Sequence, residues 1–185
     1  HKIEFDEERI RAYLGIAAKF IEGKRKDRAI EVLDRARQST ETIESSHQES
    51  FFSQISQGFV RAGSVDLGDR TLDLVKDKYE IAHALVAYAD EFNASGETAE
   101  AIETLDEAYA ILKSQRDRET RNTKSKFTLF GTMADRYADF GKFERAIEVA
   151  NENTYEEIRN EALGNVARKS VLAGRDSEAH EAVAL

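Results

Sequence analysis

The chain has 185 residues and a net charge of −9, with 41% hydrophobic and 34% charged residues and neither proline nor cysteine. The lack of cysteine excludes disulfides, thiolate zinc sites and cysteine nucleophiles, and the negative charge argues against nucleic-acid binding, which depends on neutralising phosphates. No stretch approaches the roughly 18 consecutive apolar residues of a membrane span. Because an average chain carries about 5% proline, its absence indicates helices joined by short turns.

A unit of two amphipathic stretches joined by a glycine-containing turn occurs five times along the chain. The copies read, in order, AAKFIEGKRKDRAIEVL, SQGFVRAGSVDLGDRTL, ADEFNASGETAEAIETL, ADRYADFGKFERAIEVA and ARKSVLAGRDSEAHEAV. The turn glycines are Gly23, Gly63, Gly96, Gly141 and Gly174. Such self-similarity predicts a solenoid, in which stacked helical hairpins share a core and present an extended binding surface.

Small residues recur at two positions of each copy. The first opens the second helix, at spacings of 39, 33, 45 and 33 residues: Ala29, Gly68, Ala101, Ala146 and Ala179. Twelve residues earlier lie Ala17, Ser56, Ala89, Ala134 and Ala167. Three residues after these lie Phe20, Phe59, Phe92, Tyr137 and Ser170. Four residues after the helix-opening positions lie Leu33, Leu72, Leu105, Ala150 and Val183. Because small residues let helices approach and large ones fill the space beside them, we predict that these positions serve packing.

This pattern resembles the tetratricopeptide repeat (TPR) family, whose motif is about 34 residues long with small, aromatic and glycine positions in this order. Ala134, Tyr137, Gly141 and Ala146 of the fourth copy match that motif well, and the third copy matches nearly as well. The first copy fits with one extra residue after Gly23, the second and fifth are degenerate, and the family's proline and early tryptophan are absent. The resemblance implies an all-α, right-handed αα-superhelix (solenoid) of about five helix-turn-helix repeats.

We expect a single TPR-like array over residues 1–185, with repeats at roughly 9–37, 49–77, 80–113, 126–154 and 157–185. Two polar insertions, 37–50 and 113–126, are each predicted to be a mobile loop or a helix that extends beyond the stack. The second insertion carries a net charge of +4 and is interpreted as a solvated helical overhang rather than as a docking patch. Because no polar capping helix follows the fifth copy, we expect the natural protein to continue or this end to pack against something.

The sequence indicates no catalytic, cofactor or metal site. None of His1, His47, His83 and His180 has a partner at metal-site spacing, and no phosphate-binding glycine motif occurs. Acidic residues are so abundant that no single carboxylate pair is informative. We therefore predict a protein that is not an enzyme and uses no cofactor.

The resemblance places the ligand of such an array on the concave face, against exposed side chains of each first helix. Transferring the motif positions assigns this groove to Arg11, Gln57, His83, Asp90, Asn93, Thr128, Asp135 and Arg168, with Ala18 and Glu161 beside them. The predicted function is a non-enzymatic scaffold that binds a peptide or a partner helix by hydrogen bonds and local charge pairs. Charge reversal at Asp90 and Asp135 is expected to weaken the partner without unfolding the stack.

Two other functions stay open. The chain could be a self-assembly or structural module that associates through its terminal repeat, or a regulatory accessory domain of a larger protein. In each case the partner is a protein, and neither nucleic acid nor a membrane is expected. The composition suits the cytoplasm and an oxidising compartment alike, with the cytoplasm slightly favoured.

Overall fold

A computed structural model describes residues 2–44, 46–115 and 123–184, and within these ranges all regular secondary structure is α-helical. The helices are α1 (Lys2–Glu22), α2 (Lys26–Glu41), α3 (Gln48–Arg61), α4 (Val65–Leu72), α5 (Lys78–Ala94), α6 (Thr98–Ser114), α7 (Thr123–Asp139), α8 (Phe143–Asn151), α9 (Glu156–Leu172) and α10 (Asp176–Ala184). The prediction of an all-helical chain is confirmed. Half of the basic insertion, residues 116–122, lies outside the described residues, whereas the first insertion contains the end of α2 and the start of α3.

The chain divides into two compact units, His1–Glu91 and Phe92–Leu185. In the first unit, α1 packs against α2, α3 packs against α4, and α3 also contacts both α1 and α2. In the second unit, α7 packs against α8 and α9 packs against α10, while α9 also lies against α7 and α8. Each unit therefore contains helical hairpins in contact with their neighbours, which is the arrangement expected of a helical repeat.

The five turns that the repeats predict share one hydrogen-bond pattern, the Schellman motif. In the fourth turn, the Gly141 amide donates to the Ala138 carbonyl at 3.1 Å and the Lys142 amide donates to the Tyr137 carbonyl at 2.8 Å. This motif ends the helix with one residue in the left-handed region, and Gly141 has a φ of 74°. Because a side chain is disfavoured in that region, glycine is the usual residue there.

The first turn departs from the sequence prediction. Its residue of positive φ is Lys24, at 56°, and not Gly23. Lys24 stands five residues before Ala29, the offset that separates Gly141 from Ala146, so the turn contains no extra residue. The expected insertion after Gly23 was wrong, because α1 runs through Glu22 and places the lysine where the other turns have glycine.

The predicted packing positions lie in the core in nearly every copy. The small residues of both positions are buried: Ala17, Ala29, Ser56, Gly68, Ala89, Ala101, Ala134, Ala146, Ala167 and Ala179. Leu33 and Leu105 are fully buried as well, and a leucine contributes roughly 1.5–3 kcal/mol when its side chain leaves water. Phe20 and Phe92 are only partly buried, and Val183 departs furthest from the prediction, because 75% of it is exposed at the end of α10.

Polar side chains of the second unit fix α6 against α7 and α8. The Tyr137 hydroxyl donates to Asp106 Oδ1 at 2.7 Å, and the Arg145 guanidinium lies over the Tyr109 ring with its Cζ atom 4.4 Å from the ring centroid. Burial raises the pKa of the Tyr137 hydroxyl, and the Asp106 carboxylate that accepts its hydrogen bond raises that pKa further. These contacts hold α7 in place, and α7 forms one wall of the site described next.

Candidate functional site

A groove of about 490 Å³ lies between α7 and α9 in the second unit. Helix α7 provides Lys124, Thr128, Gly131, Thr132, Asp135 and Arg136, and helix α9 provides Glu157, Ile158, Glu161, Ala162 and Asn165. On each helix these residues recur three or four positions apart and so share one helical face. The volume falls within the roughly 300–1,000 Å³ range of ligand sites in proteins.

The floor of the groove is apolar, and α7 carries a glycine there. A Cβ atom at Gly131 would lie 3.4 Å from Ile158 Cγ2 and 3.9 Å from the Ala162 Cβ. These are ordinary van der Waals distances, so the spacing of α7 and α9 does not require a glycine at this position. A glycine inside a helix lowers stability by about 1 kcal/mol relative to alanine. Gly131 therefore leaves open space in the groove at a measurable cost in helix stability.

Ion pairs within the unit neutralise one end of the groove. The Lys169 ammonium contacts Asp135 Oδ1 at 2.7 Å and Asp139 Oδ1 at 2.6 Å, and it donates to the Asp135 carbonyl at 3.1 Å. Arg136 Nη1 lies 3.2 Å from Asp135 Oδ2. Asp135 is thus part of an interhelical network that joins α7 to α9. Reversing its charge would place a third cation beside Lys169 and Arg136, so that change would test stability as much as binding.

The rest of the groove wall carries charges without such compensation. Glu157 and Glu161 are exposed on α9, and neither has an ion pair or a hydrogen bond to another side chain in the described part of the chain. Lys124 is exposed on the facing wall, and its ammonium is likewise unpaired among the described residues. The groove therefore presents two available carboxylates on one wall and one available ammonium on the other.

The first unit contains a smaller cleft of about 200 Å³ between α1 and α3. Its lining is Leu14, Ala17, Ala18, Ile21, Leu33, Gln54, Gln57, Gly58 and Arg61. Gln57 Nε2 also lies 3.3 Å from Nδ1 of His83 on α5, and the His83 ring stacks on Tyr79 with centroids 6.0 Å apart. Burial raises the pKa of the neighbouring Glu80 carboxyl, and the positive charge that His83 can carry opposes this shift.

A third depression, of about 660 Å³, opens on the surface of α1. Its lining comes from α1 and the turn after it: Ala12, Gly15, Ile16, Lys19, Phe20, Gly23 and Arg25. A surface with one wall offers a ligand fewer contacts than the two-walled groove between α7 and α9. We therefore take the α7–α9 groove as the candidate functional site.

The structure brings some of the predicted groove residues together within each unit. Thr128 and Asp135 line the α7–α9 groove with Glu161, and Gln57 lies beside His83 in the first unit. Asp90 is partly buried on α5. The assignment of these residues to a partner stays a prediction.

The other three predicted residues do not line these two clefts, although Arg168 contacts Asn165 of the α7–α9 groove. Arg11 pairs with Glu7 at 3.0 Å and lies over the Phe51 ring. Asn93 Oδ1 accepts a hydrogen bond from the Thr98 hydroxyl at 3.0 Å. Arg168 Nη2 donates to Asn165 Oδ1 at 3.1 Å. Their role in binding is likewise untested.

Sequence reasoning missed most of the groove lining, although a signal for it was present. Lys124, Gly131 and Thr132 lie four residues before, three after and four after Thr128, so helical periodicity places them on its face. Glu157 and Asn165 lie four residues before and four residues after Glu161, so they share its face of α9. Extending each motif position by one helical turn in both directions would have found them.

Among residues 2–44, 46–115 and 123–184, no group of three or more His, Cys, Asp or Glu side chains is arranged to hold a metal ion. Across the same residues, no helix is both long enough and apolar enough to cross a bilayer.

The fold is similar to that of solved TPR-like repeat proteins. One is a crystal structure of a protein from Podosopora anserina described as a kinesin light chain with nearly identical TPR-like repeats; its TM-score is 0.53 at 18% identity, over 95% of this chain and 92% of that chain. A single-substitution variant of the same protein gives a TM-score of 0.52 at 17% identity, over 95% and 91%. BtubC (BKLC) from P. vanneervenii gives 0.47 at 13% identity, over 98% and 86%.

No protein-family model matches the chain, and no curated protein matches its sequence. The structural similarity therefore shows the fold: this chain has a TPR-like helical repeat fold.

Proposed function

We propose that the protein is a non-enzymatic scaffold that binds a polypeptide segment in the α7–α9 groove. The observation that carries this proposal is a two-walled groove of about 490 Å³ with an apolar floor and unpaired charges on both walls. Packed helices hold both walls in place, so binding requires little ordering of the protein. Modest contacts at several positions can then add up to useful affinity.

The test is a selection of random peptides displayed on phage against the whole chain, followed by affinity measurements on the enriched peptides. Gly131→Leu fills the floor of the groove, and we expect it to weaken binding by at least about ten-fold (about 1.4 kcal/mol), because the added side chain occupies space that a bound segment would fill. Fluorescence anisotropy of labelled peptides measures the change.

Gly164→Leu is the matched control. Gly164 is an exposed glycine on α9, no side chain lies within 4 Å of its Cβ position, and it does not line the groove. Both substitutions replace a helical glycine with a better helix former, so circular dichroism should show folded protein in each case. Equal affinity of the two variants would contradict binding in the groove.

Self-association is a second candidate, which the exposed aliphatic residues Val171, Leu172 and Val183 of α9 and α10 support. Leu172 is 82% exposed and Val171 is 59% exposed. We expect the mass in sedimentation equilibrium to rise with concentration and Leu172→Glu to abolish the rise, whereas Leu74→Glu, at an exposed leucine of the first unit, should not. A mass that stays monomeric at all concentrations would exclude this candidate.

A further inference from the structure

The two unpaired carboxylates of the groove form a regular pair along α9. Glu157 and Glu161 are four residues apart on the groove face. At a rise of 1.5 Å per residue, their attachment points are separated by about 6 Å along the helix axis. Like charges at this spacing destabilise an isolated helix by roughly 0.2–0.5 kcal/mol. Helix stability alone therefore does not account for the pair.

The position of each acid along α9 explains the negative charge of Glu157 but not that of Glu161. Helix α9 begins at Glu156, so Glu157 lies in the first turn, where the helix dipole favours a negative charge. Glu161 lies beyond that turn, and the effect is confined to the first turn. The other groove carboxylate, Asp135, is held by Lys169 and Arg136. Neither the helix dipole nor an ion pair within the described residues therefore accounts for the charge of Glu161.

We infer that the α7–α9 groove selects a polypeptide segment with two basic side chains about 6 Å apart, which contact Glu157 and Glu161. This inference rests on the proposed function and names the chemistry of its ligand. A segment provides that spacing with residues four apart in a helix or two apart in an extended strand. The apolar stems of lysine and arginine then lie along Ile158 and Ala162 while their charged ends reach the carboxylates.

The facing wall adds a second requirement. Lys124 places an ammonium opposite the two carboxylates. This ammonium would repel a ligand that also carries cations on the side facing α7. The segment is therefore basic on the side that faces α9 and neutral or acidic on the side that faces α7. Surface charge pairs of this kind contribute more to specificity than to affinity.

The experiment applies the phage-displayed peptide selection to the unmodified chain and to two variants. The double variant Glu157→Lys with Glu161→Lys reverses the charge of the proposed contacts. The matched control is Glu103→Lys with Glu107→Lys, two exposed acids that are also four apart, on α6, and that have no partner among the described residues. Both double variants change the net charge equally, so they share any long-range electrostatic effect.

We expect the enriched peptides to carry two Lys or Arg residues spaced two or four apart. Their affinity in 50 mM salt should fall by at least about ten-fold in the groove variant, because each attraction becomes a repulsion. It should stay within about two-fold of the unmodified chain in the control variant, and the difference should shrink in 0.5 M salt, where charges are screened.

Two results would overturn the inference, and they are distinguishable. Peptides that lack paired basic residues, bind both double variants equally and lose affinity in Gly131→Leu would refute the basic ligand while leaving the groove as the binding site. If no enriched peptide is sensitive to Gly131→Leu or to the charge reversal, both the inference and the proposed function fail.

Discussion

At the scale of single residues, the first turn contains a residue that is unfavourable for its backbone conformation. Lys24 takes the left-handed conformation that glycine takes in the other four turns, at Gly63, Gly96, Gly141 and Gly174. A side chain in that region raises the energy by roughly 1–2 kcal/mol, partly offset by the lower unfolded-state entropy of lysine relative to glycine. The sequence alignment missed this because Gly23, one residue earlier, looked like the expected glycine.

Lys24→Gly should therefore increase the free energy of unfolding by about 1 kcal/mol, because it relieves the strained φ without removing an observed ion pair. The reciprocal change, Gly141→Lys, should decrease it by a similar amount, since nothing lies within 4 Å of a Cβ atom at that glycine and only the backbone conformation opposes the change. Urea denaturation measures both. A Lys24→Gly protein no more stable than the unmodified chain would show that the turn is unstrained.

The residue scale also shows where a small side chain is required by packing. Gly68 lies near the start of α4, at the position where the four other copies have a buried alanine. A Cβ atom there would lie 2.7 Å from the Tyr88 hydroxyl oxygen and 2.7 Å from Val60 Cγ2. The repeat pattern predicts a small residue at this position, but the particular need for glycine depends on Tyr88, which is far away in sequence.

At the scale of helices, a polar clamp ties α6 to the end of α8. Glu152 Oε1 accepts hydrogen bonds from the Tyr109 hydroxyl at 2.9 Å and from the Lys113 ammonium at 2.6 Å. Burial raises the pKa of the Glu152 carboxyl, but the hydrogen bonds from Lys113 and Tyr109 outweigh it, so the pKa lies below its ordinary value of 4.5. Sequence patterns could not reveal this clamp. The residues that Glu152 contacts lie about 40 residues away, and the three residues do not recur as a set in the other copies.

The clamp predicts a pH dependence of stability. Because the folded carboxyl binds its proton less readily than the unfolded one, its contribution is complete above pH 4.5 and is lost as the pH falls through the folded pKa. Glu152→Gln should be less stable than the unmodified chain by up to about 1 kcal/mol at pH 7, given that the pair is partly exposed. The difference should vanish at low pH.

Urea denaturation between pH 2.5 and pH 7 measures this, with Glu107→Gln as the control. Glu107 is an exposed acid on α6 without a partner among the described residues. A stability difference for Glu152→Gln that is the same at pH 2.5 and at pH 7 would argue against a folded-state pKa below 4.5.

At the scale of the whole molecule, the repeated small and aromatic positions were enough to predict a helical repeat fold. Their burial follows from a period that the sequence repeats, so each copy supports the others. The groove was predicted only in part, because its charges differ between copies and its shape depends on Gly131 and on the position of α9. Repetition reports what the copies share, whereas binding specificity depends on what distinguishes one copy from the next.

The most direct test of polypeptide binding in the α7–α9 groove is amide chemical-shift mapping by NMR, with an enriched peptide titrated into the isotope-labelled chain. We expect the largest shifts within residues 124–136 of α7 and 157–165 of α9, which contain the groove lining. We also expect Gly131→Leu to suppress these shifts and Gly164→Leu to preserve them. Saturable shifts confined to other helices, with none in these two segments, would contradict binding in this groove.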